Sequence, residues 1–553
     1  MRHGFLTLGV GLGLGVLLAA APFAARDLTD PATAQHVLNR VAFGPRPGDV
    51  ERLQRIGLQA YLDQQLRPSA EDVEAVRRRV AAFTTLSLDA RTIAERFEIP
   101  ALQALVAKQR RQRNTAAPGA PAEDPDNPAA AQAAKPDPGP QVPIALQPAN
   151  LPMLELAQQK IIRAVYADDQ LEEVLTDFWF NHFNVDARKG PTRFMLTEYE
   201  RDAIRPHVLG RFRDLLGATA KSPAMLFYLD NWMSADPNGP HLEQLRPAVR
   251  RRLEGGGGRL RRQDAAPGQE AQGQGQRLLQ QRRSGLNENY GRELLELHTL
   301  GVDGGYTQKD VTEVARAFTG WTIDRPRAGG GFRFVAAIHD DGEKVVLGHR
   351  IKAGGGQHDG EEVLDIVAAH PSTARFISMK LARRFVSDTP PEALVARMAD
   401  TFRTSDGDLK QVMRVLLTSK EFLAPQARRA KVKTPFEFLV SALRVTDADI
   451  SDGRVLVRTA QQLGMPLYQC QPPTGYKDTA DTWVNTGALV NRMNVALALA
   501  SGQLRGVRVP VTLDPKALLP VPVSAQTRET IARAQTPEQA VALTLGAPDF
   551  QYR

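Results

Sequence analysis

The chain has 553 residues, 42% of them hydrophobic and 24% charged, with a formal net charge of +8. That length exceeds one ordinary core, and the composition excludes both a disordered chain and a polytopic membrane protein. Nor is the charge a nucleic-acid signature. Ten arginines against three acids give residues 246–284 a charge of +7, which leaves 8 − 7 = +1 for everything else. No basic folded surface remains, so no nucleic-acid partner is expected.

Residues 1–25 read as a signal peptide: Arg2 and His3, an apolar run rich in Gly and Ala, then small residues before Arg26. An uncleaved anchor is the rival reading, because the run is just long enough to span a bilayer. With the signal removed, no transmembrane segment is expected, and the predicted location is periplasmic or secreted. Cys470 is the single cysteine, which excludes an intramolecular disulfide and a cysteine zinc site.

Residues 26–113 read as an N-terminal helical part that opens on Asp30 as an N-cap before Pro31. Residues 114–150, rich in Ala, Pro, Asp and Gln, read as a disordered insertion. A helical core follows over 151–245. In its aromatic run, steps of about 100° per residue align Leu171, Leu175, Phe178 and His182 and turn Glu173, Asp177 and Asn184 away. A histidine on an apolar line must find a hydrogen-bond partner or a metal. Residues 246–284 form a second low-complexity loop, rich in Arg, Gly and Gln, with binding of an acidic polymer or of anionic lipid head groups as its functional readings beside plain solvated filler.

Helical core resumes over 285–505, and residues 506–553 form a C-terminal tail. One small β-hairpin is predicted at about 332–351, turning at Asp341-Gly342 with His339-Asp340 at its tip. Asp359 with Glu362 reads as a capping-box-like helix start, Thr434-Pro435-Phe436-Glu437 as a capping box, and residues 464–481 as a long surface loop. The fold class is mainly α, a large multi-helix domain with that hairpin and two disordered insertions.

Polar chemistry concentrates in residues 285–323. Treated as one α-helix, residues 287–300 present Glu288, Arg292, Glu296 and Thr299 to solvent and turn His298 inward. Glu293 falls on the edge of the apolar arc. Partial desolvation raises a carboxyl toward the range of a general acid or base. Glu293, His182 and His298 are therefore the candidate catalytic residues. With His339 and Asp340 they are also the candidate ligands of a divalent metal. The bland alternative pairs Glu293 with an arginine such as Arg201 or Arg205 and bonds the histidines to backbone. Thr307 with Asp310 reads as a helix cap.

The motifs FWFNHFNV, ERDAIRPHVLGRF, SPAMLFYLDN, NENYGRELLELHTLGVDGGYTQKDVTEVARAFTGW, KTPFEF and QPPTGY stand here in that order. The chain thereby resembles, from about His36 to Arg553, a bacterial exported family catalogued as domain of unknown function 1800. Gly291 stands where related chains usually have alanine. The resemblance carries no catalytic residue across. It implies an exported partner resembling the alkaline phosphatase–sulfatase superfamily, whose genes often lie alongside. Three functions compete: a hydrolase, metal-assisted or not, acting on an envelope or extracellular polymer or ester; a non-enzymatic envelope binding or assembly partner of a co-exported enzyme; and a polyanion binder using the arginine-rich loop.

Overall fold

The computed structural model describes residues 30–69, 71, 73–104, 106–107, 148–239, 285–326, 328–510, 518 and 523–553. The signal-peptide reading, the arginine-rich loop, and residues 114–147 of the predicted insertion lie outside them. Helices dominate, and their starts follow local chemistry. Asp30 accepts from Ala32 N ahead of Pro31. Thr307–Asp310 and Thr434–Glu437 both close reciprocal capping boxes. Among the described residues, no helix is long and apolar enough to cross a membrane.

One helix sits at the centre. Gln170–His182 packs on Pro31–Val41, Leu58–Gln65, Leu151–Tyr166 and the π-helical turn Tyr199–Ile204. A second layer runs through Pro371–Phe385, which lies against Gln357–Ala369, Glu392–Thr404, Leu409–Leu417 and Leu294–Thr299. Towards the C-terminus, Pro435–Val445 is buried along its whole length, and Thr486–Ala500 pairs with Pro537–Gly546. Ionic clamps lie inside this core. Arg384 and Arg553 both engage Glu437, the latter at 3.1 Å, with all three side chains buried.

Residues 332–351 hold the predicted hairpin over a shorter span, and a second ribbon stands beside it. Phe332–Phe334 pairs with Trp321–Ile323, and Lys344–Val346 pairs with His349–Ile351, both antiparallel. A third pairing joins Asp449–Ile450 to Val507–Arg508. The hairpin turns at Leu347-Gly348, both at positive φ (50° and 81°), which suits a two-residue hairpin turn. Asp341-Gly342 is no hairpin turn because the segment is wrapped around a cation. The Lys344 ammonium donates to the carbonyls of Asp340 and Gly342 and to Asp359 (2.6 Å) with the lysine fully buried.

Candidate functional site

The predicted line Leu171, Leu175, Phe178, His182 is buried as expected. Glu173 and Asp177, turned away from that line, are also sequestered, Glu173 buried and Asp177 half-buried. Neighbouring helices bring cations to them: Arg205 meets Glu173 through two bonds of 2.7 and 2.9 Å, and Lys160 meets Asp177 at 2.8 Å. Burial alone would raise the Glu173 carboxyl, but Arg205 reverses this and holds it below its ordinary value. Arg205 is thus engaged by Glu173, and Arg201 by Asp202, so neither pairs with Glu293.

The end of this helix is tied to the surface loop that carries QPPTGY. Asn181 receives the Tyr476 N–H on Oδ1 (2.7 Å) and donates from Nδ2 to the Tyr476 carbonyl (2.8 Å). Asn184 donates to the carbonyls of Cys470 and Pro472, both at 2.9 Å. Gly475, at φ +71°, packs so closely that a Cβ would lie 2.2 Å from the Asn181 carbonyl. The two asparagines of FWFNHFNV therefore replace the backbone pairing that this irregular loop lacks.

Between those clamps His182 points inward, and its partners define its tautomer. Nε2 lies 3.1 Å from the His298 carbonyl, which only accepts, so Nε2 carries the proton. Nδ1 lies 2.8 Å from Lys380 Nζ, and it accepts from the ammonium. Burial, and then Lys380 and His298, push the imidazole well below its ordinary range, so it is neutral. His298 is lowered to about 3 by burial and by Lys380, and the two imidazole centroids are 6.2 Å apart.

The helix that carries His298 changes character along its length. Glu288–Glu293 is α-helical, but Leu294–Thr299 is a π-helix, whose wider turn shifts the following side chains. Thr299, predicted to face water, is buried and donates to the Leu294 carbonyl at 2.6 Å. Gly291 faces the next helix: a Cβ there would sit 2.9 Å from the Val311 carbonyl.

Lys380 belongs to Pro371–Phe385, which begins on Pro371 and buries Ala374, Ile377, Leu381 and Phe385. It sits on the margin of that apolar arc. Burial and the neighbouring Arg383 lower its ammonium to about 8, against the opposing pull of Asp478. Lys380 and His182 line a polar recess of about 340 Å³ together with Asp177, Arg383, Lys477 and Asp478. Sequence reading missed Lys380, although a lysine beside Ile377 and Leu381 on a helical repeat was a usable signal.

The other predicted residues go elsewhere. Glu293 lines a separate recess of about 680 Å³ with Asp186, Lys189, Tyr228 and Asn289. Burial raises its carboxyl, as does Glu296, with Arg292 opposing. His339 is buried, facing the Thr319 carbonyl through Nδ1 (2.8 Å) and Asp359 through Nε2 (3.2 Å). Asp359 is thus a partner of His339 and Lys344 rather than a helix cap, and these bonds overcome the effect of burial to hold it below its ordinary value. Asp340 grips Arg316 through two bonds of 2.7 and 3.1 Å. The five proposed metal ligands therefore occupy three places. Among the described residues, no group of three or more His, Cys, Asp or Glu is placed to hold a metal ion.

A mainly α fold with a lysine–imidazole pair in a polar recess is the class this geometry defines. Residues 36–552 match the family model described as "Protein of unknown function (DUF1800)", and the chain belongs to that family. No curated protein and no solved structure matches the chain.

Proposed function

We propose that the chain is a hydrolase of esters, acting on an envelope or extracellular polymer, with Lys380 as its acid–base group. The observation that carries this reading is the 2.8 Å contact between Lys380 Nζ and His182 Nδ1 on the wall of the recess. An amine lowered to about 8 is partly unprotonated near neutral pH, where an ordinary lysine is not. In the proposed reaction the Lys380 amine takes a proton from water as the water oxygen attacks the ester carbonyl. The ammonium then returns that proton to the leaving alkoxide as the C–O bond breaks, giving acid and alcohol. Neutral His182 fixes Nζ in place by accepting from it and is itself held by the His298 carbonyl. This version is favoured over the metal-assisted one because the candidate ligands are dispersed. Export of the chain belongs to the same proposal and rests on residues 1–25; amino-terminal sequencing of protein from the producing cells tests it.

Competitive labelling with acetic anhydride across pH tests the chemistry, read beside hydrolysis of p-nitrophenyl acetate. The expected result is a Lys380 that titrates near 8 and turnover lost in Lys380→Met. A Lys380 titrating like free lysine, with turnover unchanged in the variant, overturns the reading.

A second reading, assembly with a co-exported protein resembling the alkaline phosphatase–sulfatase superfamily, is favoured by one feature. A groove of about 700 Å³ is lined by Trp483, Leu489, Met493, Leu497 and Leu543, with Met493 and Leu497 about half exposed (54% and 51%). Co-purification with that partner, abolished by Met493→Glu, supports it; a partner bound equally well by the variant counts against it.

A further inference from the structure

The charges around the Lys380 recess do not balance, and the imbalance specifies a ligand. Its ionisable lining consists of Asp177, Asp478, Lys380, Arg383, Arg384 and Lys477, besides neutral His182. Both acids are compensated by cations other than Lys380, Arg383 and Lys477: Asp177 by Lys160 at 2.8 Å, and Asp478 by Lys431 at 3.3 Å, Arg553 at 3.6 Å and Arg384 at 4.0 Å. Arg384 is spoken for by Glu437. Three cations are left. Among the described residues Lys380, Arg383 and Lys477 make no ion pair; Arg383 donates only to the Asp388 carbonyl, at 3.1 Å.

Cations crowded into one concave site are unfavourable until an anion arrives. Here Arg383 is close enough to Lys380 to lower it. The three come from two elements, Lys380 and Arg383 from one turn of Pro371–Phe385 and Lys477 from the loop that Asn181 clamps. All three line that one space. At about 340 Å³ that space lies at the lower end of the usual range for small-ligand sites, about 300–1,000 Å³.

We infer that the recess binds an oxyanion, a sulfate, phosphate or carboxylate group carried by the substrate, through Arg383 and Lys477, which leaves the Lys380 amine free to take a proton. This rests on the hydrolase reading for its catalytic meaning and on the unpaired cations for its binding. Substrates are accordingly anionic esters or anionic polymer units, with the charge set beside the scissile bond.

Isothermal titration of the full chain with sodium sulfate and, separately, sodium acetate at fixed ionic strength tests this, with chloride as reference. The expected result is saturable binding that weakens roughly tenfold in Lys477→Gln and in Arg383→Gln. It should persist in Lys309→Gln, an exposed lysine that lines neither recess. Stronger sulfate binding identifies a tetrahedral ester group, and stronger acetate binding a carboxylate; both support the inference. Lys477 is exposed on a loop, so its variant is expected to fold. No binding of either anion to the wild-type chain, or binding equal in all three variants, overturns it. Anion binding without any Lys380-dependent turnover leaves the site standing and sinks the hydrolase reading. Lys380-dependent turnover with equal kcat/KM for neutral and anionic esters does the reverse.

Discussion

Replacing Lys380 by methionine should make the protein more stable at neutral pH while removing its chemistry. Lowering a lysine from its ordinary 10.5 to about 8 corresponds to roughly 3 kcal/mol against the charged form, at about 1.4 kcal/mol per tenfold. The side chain is partly exposed, so solvent screening reduces that figure. The bond to His182 Nδ1 is lost as well, at about 1–2 kcal/mol. A net gain of about 1 kcal/mol at pH 7 remains, because methionine fills the same margin of the apolar arc without a charge. The sign with pH is fixed by linkage. The folded lysine sheds its proton near 8 while the unfolded one keeps it to 10.5, so wild-type stability rises across that window, and the full penalty applies below it. The variant should lack that rise. Urea unfolding of both proteins at pH 7 and pH 10 measures both effects. A variant destabilised at pH 7, with the wild-type slope intact between pH 8 and 10, would refute the argument that Lys380 is a strained, functional lysine.

Glu437→Gln leaves Arg384 and Arg553 buried without their shared carboxylate and should cost roughly 3–5 kcal/mol in urea unfolding. Burial tends to raise Glu437, but the two arginines lower it to about 2. Its stabilisation is present above its ordinary 4.5 and lost as pH falls toward 2, so the variant should have a shallower acid transition. Glu293→Gln should be neutral or slightly stabilising at pH 7, since its raised carboxyl has no ion-pair partner among the described residues. It should also leave ester turnover intact; loss of turnover would return the chemistry to the second recess. Asn181→Ala removes both bonds to Tyr476 and should cost about 1–3 kcal/mol. Limited proteolysis should then cut within residues 470–479, and an uncut loop would argue against the clamp.

What the sequence revealed was what local periodicity and capping determine. Leu171, Leu175, Phe178 and His182 do share a buried line, and Thr307 and Thr434 do cap helices, because each depends on spacing within one element. Thr299 failed because a π-turn alters the step between residues, and nothing in LLELHT announces that turn. The burial of Glu173 was not legible because it depends on a cation supplied from 32 positions away, Arg205. A hairpin does lie within residues 332–351, but its strands and turn were misplaced, because the segment expected as its turn is organised by Lys344 while the real turn uses Leu347-Gly348. Lys380 escaped notice because its importance lies in one contact with His182, 198 positions distant.

The two recesses share the loop that runs from Cys470 to Thr479. Gln471 and Pro473 line the Glu293 recess, while Thr474, Tyr476 and Lys477 line the Lys380 recess. Asn181, Asn184 and Tyr228 hold that loop by its backbone, the last through a 2.7 Å bond to the Gln471 carbonyl. Backbone clamping leaves the loop's side chains free to line both cavities, which is how irregular chain serves a site on a rigid helical frame. Glu293 and Lys380, although in separate recesses, thus share walls built from one short segment. Lys477 stands only four residues after Pro473 and six after Gln471, which line the Glu293 recess. The motifs FWFNHFNV and QPPTGY are best understood together, as the clamp and the wall it holds.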